Sequence, residues 1–484
     1  MAELTIYNTL HHQKEPFKPL NEGFVGIYVC GPTVYGDPHL GHAKSYVAFD
    51  VIVRYFRYLG YHVRYVQNIT DVGHLTDDAD EGEDKLQKQA RNERLEPMEI
   101  AEKYTYAYFR DMDALNVERP DISPRASGHI PDQIAMIKRL IDNGLAYEVN
   151  GNVYFDITKD ADYGKLSGRN IEEMVSGTRV QTAGDKHNPQ DFALWKKAEP
   201  EHIMKWDSPW SVGYPGWHVE CSAMSTKYLG ETFDIHGGGL ENQFPHHECE
   251  IAQSEGANKK DFVRYWMHNN MVTLNGQKMG KSLGNAISLQ QFFTGDHKLL
   301  TRAWKPEVIR FFLLQSHYRS PSDFSEEALS AAEAGMNNLF EIIQTIMDAS
   351  PGSANDFNLD DFRSEVENRM NDDFNTPQVV ALLFEKLRPL RKEIQSGKIP
   401  RNLSDLQSFL EDFVHGVLGV WPDDASDGGH LREQLDAAMQ VLIDLRNDAR
   451  KNKNFELADR IRDRLTEVGI TLEDTPTGTT YKVE

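Results

Sequence analysis

Between Phe24 and Ile69 the chain reads strand, loop, helix, strand, and this order constrains the fold more than any other feature it carries. Phe24 to Cys30 is a β-branched and aromatic run with the character of a buried strand. A turn-rich segment follows, Gly31-Pro32-Thr33-Val34-Tyr35-Gly36-Asp37-Pro38. From about His39 to Leu59, Val47, Val51, Ile52, Tyr55, Phe56 and Leu59 recur at helical spacing, and Gly60 stands where a glycine closes a helix. Tyr61 to Ile69 is β-rich again. Strands joined through a helix pair in parallel, and ligands of such sheets gather beyond the strands' carboxyl ends. The expected fold class is α/β.

The remainder must fill further domains, since 484 residues exceed one core. Residues 76–116 are charged and helix-forming, opening on an acidic run, and 125–215 read as a mixed insertion with a short strand near Val153–Phe155. The α/β pattern returns from Gly216 to Phe311, and beyond Pro321 long amphipathic helices take over, with polar linkers at Ser350–Asn358 and Pro422–Gly429. A net charge of −23 argues against indiscriminate nucleic-acid binding, yet a polyanion can still be held on local basic strips. Three cysteines give no disulfide framework and suit a reducing compartment, where cysteines serve as ligands or nucleophiles. The N-terminus lacks a signal-peptide pattern, and no run approaches the roughly 18 apolar residues of a membrane span. A cytoplasmic protein without a membrane is expected.

Four groups of residues carry chemistry. His39-Leu40-Gly41-His42 places two imidazoles on the first turn of a helix, where free N–H groups already attract anions, and Gly41 leaves space for a flat ligand. Such a pair also serves simply as a cap. Lys278-Met279-Gly280-Lys281-Ser282 puts two lysines on a turn-rich loop of an acidic chain, suited to clamp a polyphosphate. His246 and Glu250, at i and i+4, share a helical face; with Cys30 and Cys221 they make an S, S, N, O set acceptable to zinc. Of the residues between them, His247, Glu248 and Cys249 should mostly point off that face, and Cys249 reads as structural. His236-Gly237-Gly238-Gly239 follows a β-like run and reads either as backbone held close to a ligand or as a merely flexible loop after the strand.

Together these resemble the class I aminoacyl-tRNA synthetases, whose signatures are written His-Ile-Gly-His and Lys-Met-Ser-Lys-Ser. Over nearly the whole chain the resemblance is to the cysteinyl-tRNA synthetases, carried by Tyr28–Thr33 (YVCGPT), Gly216–Met224 (GWHVECSAM), Phe233–Gly239 (FDIHGGG), Phe244–Glu250 (FPHHECE) and Lys278–Asn285. It implies a Rossmann-type catalytic domain over 1–320, with a connective insertion at about 76–215 and a mobile-loop region at about 270–320. A helical bundle would occupy 321–425 and an anticodon-binding domain 426–484. Cys30, Cys221, His246 and Glu250 match the zinc ligands. His39 and His42 match the phosphate histidines, and Lys278 and Lys281 the loop lysines. Gly41, Gly238 and Glu241 fall at ATP-binding positions, while Thr70, Trp217 and His236 surround the cysteine pocket. Arg450, Phe455, Asp459 and Asp474 occupy positions resembling anticodon contacts, the aromatic stacking on a base. Partners implied are ATP with Mg2+, L-cysteine and tRNA(Cys), handled by a monomer. The sequence departs from the family at Leu40, at Gly280, at Glu241 where aspartate is usual, and from Val72 to Thr76, where roles do not carry over.

A site that must accept cysteine and reject serine distinguishes one atom, which apolar fit does poorly. A zinc ion separates thiolate from alcohol, and no segment is long enough for an editing domain. Two other readings remain open from the sequence. One is a cysteine ligase of mycothiol synthesis, which resembles the same catalytic domain but lacks the anticodon-binding end. The other is a non-catalytic sensor on a synthetase scaffold. The helical region after Pro321 and the basic tail, from Arg446 to Arg464, favour tRNA.

Overall fold

The structure, a computed structural model, describes residues 3–72, 85–170, 185–278, 285–422, 439–440, 442–447, 449–451, 454–467, 470–475 and 478–483. In chain order its elements begin with the hairpin β1 (Thr5–Asn8) and β2 (Gln13–Pro16), then β3 (Phe24–Val29), α1 (Leu40–Tyr58) and β4 (His62–Gln67). After β4 come α2 (Lys85–Glu93), α3 (Pro97–Ala114), α4 (Ile130–Asp142), β5 (Ala146–Val149), β6 (Asn152–Phe155), β7 (Phe192–Lys197) and β8 (Gly213–Pro215), within the stretch expected to be an insertion. There follow α5 (Trp217–Leu229), β9 (Phe233–Gly239), α6 (His246–Asn258), β10 (Val263–Asn269), β11 (Val272–Leu274), β12 (Gln277–Lys278), α7 (Leu289–Thr294), α8 (Pro306–Leu314) and β13 (Ser322–Phe324). Helices α9 (Glu326–Met347), α10 (Leu359–Asn371), α11 (Thr376–Gln395) and α12 (Leu403–Leu410) complete a compact unit ending at Val420. A second unit, from Trp421, contains α13 (Phe455–Glu467) and the antiparallel pair β14 (Ile470–Thr475) and β15 (Gly478–Val483).

The central sheet is parallel, in the order β10–β9–β3–β4, as the strand–helix–strand reading requires. Strand β3 is flanked on both sides, which is why Phe24–Val29 carries an unbroken apolar run with Val25, Ile27, Tyr28 and Val29 fully buried. The helix predicted from about His39 to Leu59 is α1, capped by His39 at its start and by Leu59 at its end, with Gly60 at φ 88°. Its buried stripe includes Val47, Val51 and Tyr55 at successive i+4 positions. The stripe also contains one carboxylate. Asp50 accepts from Arg54 Nε and from the Glu118 backbone, and pairs with Arg310 on α8, while Arg310 donates onward to the carbonyls of Leu115, Asn116 and Leu418.

Four antiparallel strands of the insertion, β5 to β8, form a second sheet. Its apolar side, with Phe155, Leu194 and Trp195, packs in one cluster with Val219 and Ala223 of α5 and Cys249 and Ala252 of α6. The insertion therefore braces the two helices that carry candidate metal ligands. Cys249 is a buried core residue there, as expected of a structural cysteine.

Candidate metal centre and nucleotide cleft

Cys30 follows β3 directly, and its backbone N–H donates to Gly237 O at 3.0 Å, so sheet pairing alone sets it beside the end of β9. Cys221 lies one turn into α5, and His246 and Glu250 open α6. Their four donor atoms all lie within 4.8 Å of one another, and all four residues are buried. Glu250 Oε1 is 3.7 Å from Cys30 Sγ and 3.1 Å from His246 Nε2. Bond lengths of 2.0–2.3 Å around a tetrahedral zinc give donor–donor edges of about 3.3–3.8 Å, so the two edges at 3.1 and 3.7 Å lie close to that range and none exceeds it by more than about 1 Å.

Burial and mutual charge couple the four donors strongly. Burial would raise the Glu250 carboxyl, but the imidazoles of His236 and His246 outweigh it and hold it down at about 2. A hydrogen bond from Cys30 lowers the Cys221 thiol to about 6 against the effect of burial, while burial and the Cys221 charge push Cys30 well up. On His246, burial opposes protonation, yet Glu250 and Cys221 raise it to about 10. Soft sulfur and anionic oxygen in a dry site are a thiophilic dication's donor set.

Around the donors stand Trp217 and several groups to which the sequence reading gave no role. Asn68 Oδ1 accepts from the Gly31 N–H at 2.8 Å and lies 3.7 Å from Cys221 Sγ. Gly31 has no alternative there, because a Cβ would lie 1.5 Å from Asn68 O. His218 Nδ1 meets His246 Nδ1 at 2.8 Å, and Trp217 stacks on the His246 ring at 4.3 Å. His247 does not turn away from the centre: its Nε2 is 3.2 Å from Cys30 Sγ. The i, i+3 spacing of His247 and Glu250 was the available signal, since that spacing shares a helical face as i, i+4 does. Burial and the surrounding imidazoles push His247 well below the usual histidine range, and burial lowers His268 to about 3.

A cleft of about 370 Å³ opens beyond the sheet's carboxyl ends, lined among others by Cys30, Cys221 and His246 and by His39, His42 and Glu241. His39 Nδ1 accepts from the Gly41 N–H and His42 Nδ1 from the His39 N–H, each at 3.1 Å. Both histidines thus form a reciprocal cap. A ring nitrogen that accepts carries no proton, so a neutral ring carries its N–H on Nε2. The capping role and the phosphate role are compatible.

The structure places the other candidates as follows. Gly41, Thr70, Trp217, Gly238 and Glu241 line the cleft. Thr70 accepts from Asn68 Nδ2 at 3.0 Å. His236 lies behind the metal donors, its Nε2 2.9 Å from Glu250 Oε2 and its ring stacked on Trp266. The three glycines do not form a loop after the strand; they are the last residues of β9. At Gly237 a Cβ would meet the Phe49 ring of α1 at 2.3 Å, and at Gly238 the His247 ring at 2.8 Å. These glycines serve side chains packed on the strand. At Gly41, likewise, a Cβ would press on the His39 ring at 3.0 Å. Lys278 closes the short β12 strand against Thr273. Lys281 lies outside the described residues, as does the rest of 279–284. In the second unit Phe455 is the first residue of α13 and 60% exposed, Asp459 pairs with Arg462 at 3.2 Å, Arg450 is exposed and Asp474 sits in β14.

Comparison with known proteins agrees along the whole chain. Residues 16–334 match the family described as tRNA synthetases class I (C) catalytic domain, 365–421 the DALR domain, and 432–481 the cysteinyl-tRNA ligase anticodon binding domain. A cysteine–tRNA ligase of Chlorobaculum tepidum is 55% identical over 491 aligned residues, covering 99% of both chains. One of Bacteroides fragilis is 51% identical, again over 99% of each. Among solved structures, Mycobacterium tuberculosis methionyl-tRNA synthetase in complex with methionyl-adenylate shares the fold, with a TM-score of 0.56 at 15% identity over 83% of this chain and 92% of that one.

Proposed function

The chain belongs to the cysteine–tRNA ligase family of class I synthetases, and we infer that it activates L-cysteine with ATP and loads it onto tRNA(Cys), with Cys30, Cys221, His246 and Glu250 holding one zinc ion. The observation carrying the choice of amino acid is that these four donors converge, and that three of them, Cys30, Cys221 and His246, line the same cleft as His39 and His42. When bound, zinc supplies an acid that takes a thiolate far better than an alcohol oxygen and lowers the thiol's pKa.

The protein's own groups do the remaining work by placement and charge. Trp217 and Thr70 stand beside the donors and bound the space for a small amino acid. The cysteine carboxylate attacks the α-phosphate of Mg·ATP in line, so no side-chain nucleophile is needed. Nε2–H groups on His39 and His42 donate to the phosphates as charge shifts toward the leaving pyrophosphate, and Lys278 and Lys281 clamp it. Gly238 and Glu241 contribute to the ATP site at the end of β9. His236 fixes Glu250 through its hydrogen bond rather than touching the substrate. In the tail, Arg450, Phe455, Asp459 and Asp474 read the anticodon, Phe455 by stacking; its exposure supports this role. The division into 1–320, 321–425 and 426–484, and a monomeric state, complete the reading. No described helix is long and apolar enough to cross a membrane.

The test is aminoacylation of tRNA(Cys) with cysteine, with serine, and with an amino-sugar acceptor in place of tRNA. Charging by cysteine alone supports the reading. Comparable adenylate formation with serine, or transfer only to the amino-sugar, refutes it.

A further inference from the structure

His247 and His268 are buried, take no part in the reaction just described, and form with Thr9 a chain ending on a metal donor, with Glu250 Oε1 farther from the same His247 nitrogen at 4.0 Å. His247 Nε2 lies 3.2 Å from Cys30 Sγ, His247 Nδ1 lies 2.8 Å from His268 Nε2, and His268 Nδ1 lies 2.9 Å from Thr9 Oγ1. A contact between two ring nitrogens at 2.8 Å requires one N–H and one lone pair. A cysteine that ligates a metal does so as thiolate, which only accepts. The Cys30 contact must then be donated by His247 Nε2–H, and the choice propagates. His247 Nδ1 becomes the lone pair that receives His268 Nε2–H, and His268 Nδ1 receives the Thr9 hydroxyl proton.

We propose that His247 is a positioning residue for the metal centre, donating Nε2–H to the Cys30 thiolate, with that tautomer supported through His268 by the Thr9 hydroxyl. This rests on Cys30 being a metal ligand. The hydrogen bond pins the Cys30 side chain and draws charge from its sulfur, leaving a bound ion more receptive to an incoming thiolate. The surroundings fit such a role. The ring has room only because Gly238 lacks a Cβ, and it packs against Trp266 and His236 at ring-centre distances of 5.1 and 4.5 Å. Three of the four ligands then each carry an outer imidazole: His218 on His246, His236 on Glu250 and His247 on Cys30.

The test uses the full chain loaded with Co(II), comparing wild type with His247→Leu, His247→Gln and Thr9→Val. Loss of the N–H···S bond makes the thiolate a stronger charge donor, so in His247→Leu the sulfur-to-cobalt band moves to longer wavelength. Affinity for Co(II) and Zn(II), by chelator competition, falls by roughly tenfold or more. Glutamine, whose amide reaches the same position, restores much of both, and Thr9→Val gives a smaller shift in the same direction. An unchanged band and affinity in His247→Leu overturns the proposal. Should that variant fail to fold, an unshifted band in Thr9→Val does so instead. A wild-type protein that takes up Co(II) without any thiolate band refutes the underlying ligand assignment, a result separable from the first.

Discussion

Replacing Asp50 with asparagine should destabilise the unit that ends at Val420 by about 3–5 kcal/mol, the cost of removing one partner from a buried ion pair. Asp50 is fully buried, Arg310 is 1% and Arg54 9% exposed, and both guanidinium groups converge on this carboxylate. Asparagine keeps the volume and one acceptor, but leaves Arg310 without a carboxylate, facing backbone carbonyls, and Arg54 with only the more distant Glu118 at 3.5 Å. Burial already lowers Arg310 below the usual arginine range, a measure of how poorly the site tolerates uncompensated charge. An unfolding entropy near 2.1 cal/mol/K per residue gives about 0.9 kcal/mol/K for such a unit, so the expected fall in Tm is about 3–6 °C. Calorimetry at fixed zinc and salt reads it. The control is Asp372→Asn, which breaks the exposed pair with Lys14 and should cost under about 1 kcal/mol. If the two variants shift Tm equally, the argument that Asp50 neutralises buried charge is wrong.

Three further outcomes are expected. Lys44 is buried, donates to Ser320 O and Ser322 Oγ at 2.6 Å each, and burial lowers it to about 8. Below pH 8 both folded and unfolded chains hold its proton and the burial penalty is constant. Between pH 8 and about 10.4 only the unfolded chain holds it, so stability rises with pH by roughly 3 kcal/mol in total relative to Lys44→Met. A pH-independent difference in denaturant titrations of the two proteins would contradict this. Gly237→Ala drives a methyl into the Phe49 ring and should cost about 1–3 kcal/mol by urea unfolding; a neutral result means that α1 shifts freely against β9. Cys221→Ser should lower bound zinc, measured by elemental analysis, together with cysteine-dependent pyrophosphate exchange, in a protein that remains folded. Unchanged zinc content would remove Cys221 from the ligand set.

Much of the local structure was legible in the sequence because it depends on neighbours a few residues away. The apolar spacing of α1, its capping histidines, the buried run of β3 and the shared face of His246 and Glu250 follow from backbone periods alone. The family resemblance extended this to the four candidate ligands, whose donor atoms converge in the structure. The service of Gly237 and Gly238 to Phe49 and His247, the support of Glu250 by His236, and the pairing of Asp50 with Arg310, 260 positions apart, were not legible. Nor was the outer ring of imidazoles. Side-chain periodicity says which way a residue faces on its own element, not which element lies opposite. That second choice belongs to the sheet order β10–β9–β3–β4, which lays Cys30 against the end of β9 and brings α5 and α6 over it, and only burial of the whole core selects that order.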